Sequence, residues 1–284
     1  MKFFTQVSID KPRRQLSLGD GILLLGSCFA DSVGGKMAAS GFNCMVNPFG
    51  TLYNPESLKN AVELLDSTTL FTPGDCVPMG AGADRICSFR HHTSFARKTA
   101  KEFLSNANDK LLQARDFWHS CNTLVISLGT SFVWYHDGTA VANCLKRPAK
   151  EFTRRMLTPQ ESADCLLSIA STHPEKHLIL TVSPIRHLGD GAHANTLSKA
   201  SLMIAVDKMI THSPAVADYF PASEILLDEL RDYRFYAEDL IHPSPAAVTY
   251  IWDRFLDTFV LPSDLPAIRA NEKSARSLAH RPNL

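Results

Sequence analysis

Four short, unbroken apolar runs stand out along the chain, at 22–25, 124–128, 178–182 and 225–227. Runs of this length, apolar at every position, predict strands buried on both faces. Between them, apolar residues recur at helical spacing over 55–65, 96–117, 159–169, 194–210 and 245–259. Strands and helices therefore alternate, which predicts an α/β fold: a doubly wound, three-layer sandwich around a mostly parallel sheet. The Pro- and Gly-rich stretch 71–82 reads as a surface loop that interrupts one domain spanning 1–284, with a loop-rich insertion around 71–95. In such sheets ligands bind beyond the carboxyl ends of the strands, so the loops that follow these runs are where chemistry is expected.

Composition narrows the function classes. Hydrophobic residues make up 45% of the 284 and charged residues 20%, enough apolar material for a large core without staples. Lys and Arg total 29, as do Asp and Glu, and no segment concentrates one sign. That balance argues against nucleic-acid or anionic-membrane partners and for a small-molecule substrate. The seven cysteines are odd in number and never form C-x-x-C, so reduced thiols are expected rather than disulfides or a zinc site. No G-x-G-x-x-G or P-loop pattern occurs, and no cofactor is expected. The N-terminus lacks the apolar core of a signal peptide and no stretch approaches the ~18 apolar residues of a membrane span, so a cytoplasmic location is expected.

Candidate chemistry begins directly after the first run, at Gly26-Ser27-Cys28-Phe29-Ala30, where a strand turns into a helix that stops at Gly41. Such a turn exposes a side chain at the reactive edge, beside backbone N–H groups that favour negative charge. Ser27 is the candidate nucleophile there, against the simpler reading that it only caps the helix. Cys28 is a rival nucleophile, with a buried structural thiol as its simpler reading. A serine needs a base, and the base needs an acid to orient it. Asp-x-x-His occurs three times, as Asp116–His119, Asp190–His193 and Asp239–His242. The first precedes a strand and so lies at the wrong edge. The other two follow strands, and the Asp239–His242 loop is stiffened by Pro243 and Pro245. His187 remains a further candidate base.

These residues resemble the GSCFA family, which is named for the pentapeptide at 26–30 and is akin to the SGNH/GDSL hydrolases. Asn47-Pro48-Phe49-Gly50, Tyr53-Asn54-Pro55, Ser127-Leu128-Gly129-Thr130-Ser131, Ser183-Pro184-Ile185-Arg186-His187 and Asp239-Leu240-Ile241-His242 extend the resemblance in order along the chain. It implies a flavodoxin-like sandwich and an esterase acting on a short acyl group, with Ser27 as nucleophile, His242 as base and Asp239 as its orienter. It also implies oxyanion donors: Gly50 matches the glycine, but Gly129-Thr130-Ser131 stands where the wider pattern has Gly-x-Asn-Asp. Ser131 or Thr130 is expected to donate instead, with Asn47 or Asn54 as substitutes. Asn47, Asn54, His92, Asn143, Arg186 and His187 are expected to line the substrate pocket. Adjacent His91 and His92 diverge in most backbones, so no metal is expected. The same constellation suits acyl transfer to an acceptor other than water; without its oxyanion donors it suits a ligand-binding module.

Overall fold

The computed structural model describes residues 4–80, 82, 84–212 and 217–279. In chain order its strands are β1 (Gly21–Gly26), β2 (Asn43–Val46), β3 (Val77–Met79), β4 (Arg85–Cys87), β5 (Thr123–Leu128), β6 (Phe132–His136), β7 (Thr139–Val141), β8 (Phe152–Met156), β9 (His177–Val182) and β10 (Ala217–Tyr219). The helices are α1 (Cys28–Ala39), α2 (Pro55–Asp66), α3 (Ala100–Ser120), α4 (Pro159–Thr172), α5 (Gly191–His212), the short α6 (Ala222–Glu224), α7 (Pro245–Phe259) and α8 (Leu265–Ala279).

Five strands pair in parallel in the order β10-β9-β5-β1-β2. The chain steps outward from β1 to β2, then crosses back to build β5, β9 and β10 on the other side. This is the doubly wound arrangement expected from the sequence, with its switch point between β1 and β5. The three central strands are buried at every position, which is why they read as unbroken apolar runs. Alternate residues feed opposite layers. Leu23 and Leu25 pack with Leu58 of α2, Phe103 of α3, Leu166 of α4 and Leu202 of α5. Ile22 and Leu24 pack with Met37 of α1 and Trp252 and Phe255 of α7.

The run at 225–227, expected as a strand, is instead π-helical within Ile225–Leu230. Ile225 and Leu226 are buried whereas Leu227 is 48% exposed, a one-sided pattern that three apolar letters cannot distinguish from a strand. The sheet edge is β10, just upstream. The expected loop-rich insertion carries an antiparallel hairpin, β3 with β4, and a second antiparallel sheet in the order β7-β6-β8 follows β5. Among the described residues, no helix is long and apolar enough to cross a membrane.

Candidate active site

The turn after β1 is built on a backbone that only glycine accepts. Gly26 has φ +151°, and a Cβ there would lie 2.3 Å from the Ser127 carbonyl oxygen. Asn47 braces this turn: its Oδ1 accepts from the Gly26 N–H at 2.8 Å and its Nδ2 donates to Asp31 Oδ1 at 2.6 Å. Asn47 is therefore a bracket for the turn.

Ser27 is fully buried, at 0% exposure. Its N–H donates to the Ser127 carbonyl at 3.1 Å. Its Oγ accepts from the Phe29 N–H at 3.3 Å and lies 3.2 Å from Ser127 Oγ. The hydroxyl expected as nucleophile thus occupies the N-cap position of α1 and points at the end of β5. Cys28, the first residue of α1, is partly exposed. Its Sγ lies 3.7 Å from the Tyr53 hydroxyl, which is 3.0 Å from Thr51 Oγ1. Burial pushes the Tyr53 phenol up to about 12, so it is neutral at physiological pH.

The Asp239–His242 loop pairs an imidazole with a carboxylate. Asp239 Oδ2 is 2.6 Å from His242 Nδ1, and Asp239 Oδ1 accepts from the Ile241 and His242 backbone N–H groups at 2.9 and 3.0 Å. Those bonds, led by the His242 backbone N–H, hold the Asp239 carboxyl down to about 2. With Nδ1–H directed at a carboxylate, Nε2 is left as the proton acceptor. The other two Asp-x-x-His copies do not form such a pair at this edge. Asp190 is bound by both Arg154 terminal nitrogens, at 2.5 and 2.6 Å, and Asp116 and His119 lie on α3 ahead of β5.

Arg186, one of the expected pocket residues, braces this loop. Its backbone N–H donates to the Ile241 carbonyl and its guanidinium to the Leu240 carbonyl, both at 3.2 Å. Leu240 has φ +55°, a left-handed backbone that needs such support in a non-glycine residue. Arg186→Ala is expected to lower kcat about tenfold through misplacement of His242. A thermal melt with little change beside that loss in steady-state rate is the check.

The expected oxyanion donors are already engaged. The Gly50 N–H donates to the Asn47 carbonyl at 2.7 Å. Gly50 is conformationally required, since at φ +78° a Cβ would lie 2.3 Å from His92 Cβ. Ser131 is fully buried, and its N–H and hydroxyl both go to Ser198 Oγ, at 2.8 and 3.1 Å; the Thr130 hydroxyl meets the same oxygen at 3.0 Å. Asn54 caps α2 by accepting from the Ser57 N–H, and Asn143 accepts from the Leu145 N–H in a turn. Asn47, Asn54 and Asn143 have one thing in common: a short polar side chain accepts from a backbone N–H that has no partner in a ladder or helix. His92 places Nδ1 3.0 Å from Ser94 Oγ.

His187 does belong to this edge. Its ring meets Tyr53 edge-on, with centroids 5.8 Å apart, and its Nε2 is buried with no partner among the described residues. Burial, reinforced by the Lys199 charge, pushes the His187 imidazole down to about 4, so it is neutral. It lies within electrostatic reach of His242.

Lys199 gave no signal of this kind in the sequence beyond its place in the motif region. Its Nζ donates to the carbonyls of Gly129 and Ser183, both at 2.7 Å, and so joins the loops that follow β5 and β9. Burial pushes its ammonium down from 10.5 to about 7. Between those values the unfolded chain holds more protons than the folded one. This residue therefore makes stability rise with pH across that window, and the gain is lost as pH falls through about 7. Lys199→Met is expected to cost about 1–3 kcal/mol through the two unpaired carbonyls, and to flatten that slope. Urea midpoints measured from pH 7 to 10 on both proteins test it.

A cleft of about 350 Å³, lined by Ser57, Ser88, Arg90 and His136 among others, lies between α2 and β6–β7 and includes neither the β1–α1 turn nor the Asp239–His242 loop. The model of the GSCFA family matches residues 21–255. The chain belongs to the GSCFA family. That stretch runs from the first residue of β1 into α7, so it spans the turn and the His242 loop. No curated protein matches the chain. Among solved structures, similarity is found to a variant of an acetyl-xylooligosaccharide esterase from Geobacillus Stearmophilus, 12% identical with a TM-score of 0.45, over 87% of this chain and 97% of that one. A carbohydrate esterase family 2 enzyme from Corynascus thermopiles is 13% identical with a TM-score of 0.39, over 93% and 69%. An acetyl xylan esterase from the rumen bacterium Butyrivibrio proteoclasticus is 10% identical with a TM-score of 0.40, over 90% and 66%.

Proposed function

We propose that this GSCFA-family chain hydrolyses a small carboxylic ester of a short acyl group, with His242 as general base and acid and Asp239 as its orienter. One observation carries the reading. Asp239 holds His242 Nδ1 at 2.6 Å in a loop that Arg186 ties to the end of β9, on the sheet edge where the β1–α1 turn lies. A histidine so held takes a proton at Nε2 from an attacking group and returns it to the leaving alcohol. The β1–α1 turn supplies the attacking group, because it lies at the switch point where loops from several strands converge. Negative charge on the carbonyl oxygen is stabilised by backbone N–H groups at the start of α1.

The test is release of p-nitrophenol from p-nitrophenyl acetate by the full chain. Saturable turnover above the buffer rate is expected. A rate equal to buffer, with acetyl and longer acyl esters alike, would overturn the reading.

A further inference from the structure

Resting on that ester-hydrolase reading, we infer that the attacking atom is the sulfur of Cys28, so that the acyl intermediate is a thioester. Three observations separate Cys28 from its neighbour. Ser27 is 0% exposed and its oxygen is already shared between the Phe29 N–H and Ser127 Oγ, so reaching a substrate would uncap α1. Cys28 is partly exposed, and its sulfur lies 3.7 Å from the Tyr53 hydroxyl. From there the site continues to open loops: Tyr53 meets His187, and the 183–187 loop is bonded through Arg186 to the loop that carries His242.

The backbone gives the third observation. A nucleophile's own N–H commonly serves the oxyanion that forms beside it. The Ser27 N–H is consumed by the Ser127 carbonyl at 3.1 Å. Cys28 stands at the first helical position, where an N–H has no acceptor within the helix.

The step balances without any further reactant. The Cys28 thiol gives its proton to His242 Nε2 as the sulfur bonds to the acyl carbon. The carbon–oxygen bond to the alcohol then breaks, and that proton leaves with the alcohol. Water attacks the thioester, giving one proton to His242; the carbon–sulfur bond breaks, the acid departs, and the proton returns to sulfur.

The experiment acetylates the wild-type chain with p-nitrophenyl acetate, quenches it in acid and maps the acetyl group by peptide mass spectrometry. The peptide holding Ser27 and Cys28 is expected to carry it, and neutral hydroxylamine is expected to remove it, since that reagent cleaves a thioester and spares an oxygen ester. In steady state, Cys28→Ala is expected to lose about 10³-fold or more. Ser27→Ala is expected to lose no more than about tenfold, as an uncapped but intact helix would. Melting curves of both variants show whether they fold. A hydroxylamine-stable adduct, or an active Cys28→Ala beside a dead Ser27→Ala, overturns the thiol assignment and leaves the hydrolase reading standing. Absence of turnover in the wild type overturns the hydrolase reading itself.

Discussion

His242→Ala is expected to lower kcat/KM for an ester by about 10³-fold or more, because members of a nucleophile–base set act as a unit. Nothing else at this edge replaces it. His187 is neutral and shares the edge, but no carboxylate among the described residues hydrogen-bonds its ring: its backbone N–H goes to Asn195 Oδ1, its Nε2 has no partner and its ring meets Tyr53 edge-on. Asp239→Asn is expected to lose about 10²–10⁴-fold, since an amide facing Nδ1 favours the wrong tautomer. The pH profile supplies an independent check. Asp239 is held down to about 2, so its carboxylate persists as pH falls and is lost only on approach to that value. Loss of activity between pH 4 and 7 therefore reports some other group, and Asp239→Asn should lower the plateau without removing that limb. A His242→Ala protein with wild-type kcat/KM would take the base away from this loop.

The second large effect is structural. Gly26→Ala is expected to cost more than about 4 kcal/mol or to prevent folding, for two reasons that add. Its φ of +151° is a backbone that side chains rarely adopt, and the new Cβ would stand 2.3 Å from the Ser127 oxygen and 2.8 Å from Ser127 Cβ. Neither atom can withdraw, because Ser127 belongs to β5 and its carbonyl also receives the Ser27 N–H. Gly35 is the control: it is exposed in α1, and a Cβ there meets nothing within 4 Å. Gly35→Ala is expected to stabilise by about 0.5–1 kcal/mol through helix propensity. Chemical denaturation of the two variants side by side gives the comparison, and a Gly26→Ala protein as stable as wild type would sink the argument.

The layered fold was legible because the physics that buries a central parallel strand writes itself as a run of apolar letters. β1, β5 and β9 were found that way. β2 and β10 were not, since an edge strand such as Asn43–Val46 mixes exposed and half-buried positions. The run at 225–227 misled because burial alone does not distinguish a strand from a tight helical turn. Near the candidate site, the Asp239–His242 contact was legible because the two residues share one short loop and need no distant partner. The roles of Asn47, Asn54, Ser131, Asn143 and Arg186 were not. Asn47, Ser131 and Arg186 bond groups brought close by the fold, and spacing along the chain says nothing of which partner will stand opposite; Asn54 and Asn143 form a local cap and turn with Ser57 and Leu145. Tyr53 was visible within a motif but without a role, because its contacts with Cys28 and His187 join three separate segments. Ser27 and Cys28 differ by one step along the turn, and only the direction in which each side chain leaves the backbone separates them.

The position of β1 between β2 and β5 also bears on when the molecule becomes reactive. The turn leaves the ribosome ahead of Ser127, which closes one side of it and follows 100 residues later, and the histidine loop comes later still. Contacts at such separation form late, and domains tend to fold as units. A growing chain therefore displays its thiol with neither a wall beside it nor a base to serve it. On the thiol reading, wall and base join Cys28 only after both later segments are made, so a chain cut between Ser127 and Asp239 is expected to be inert.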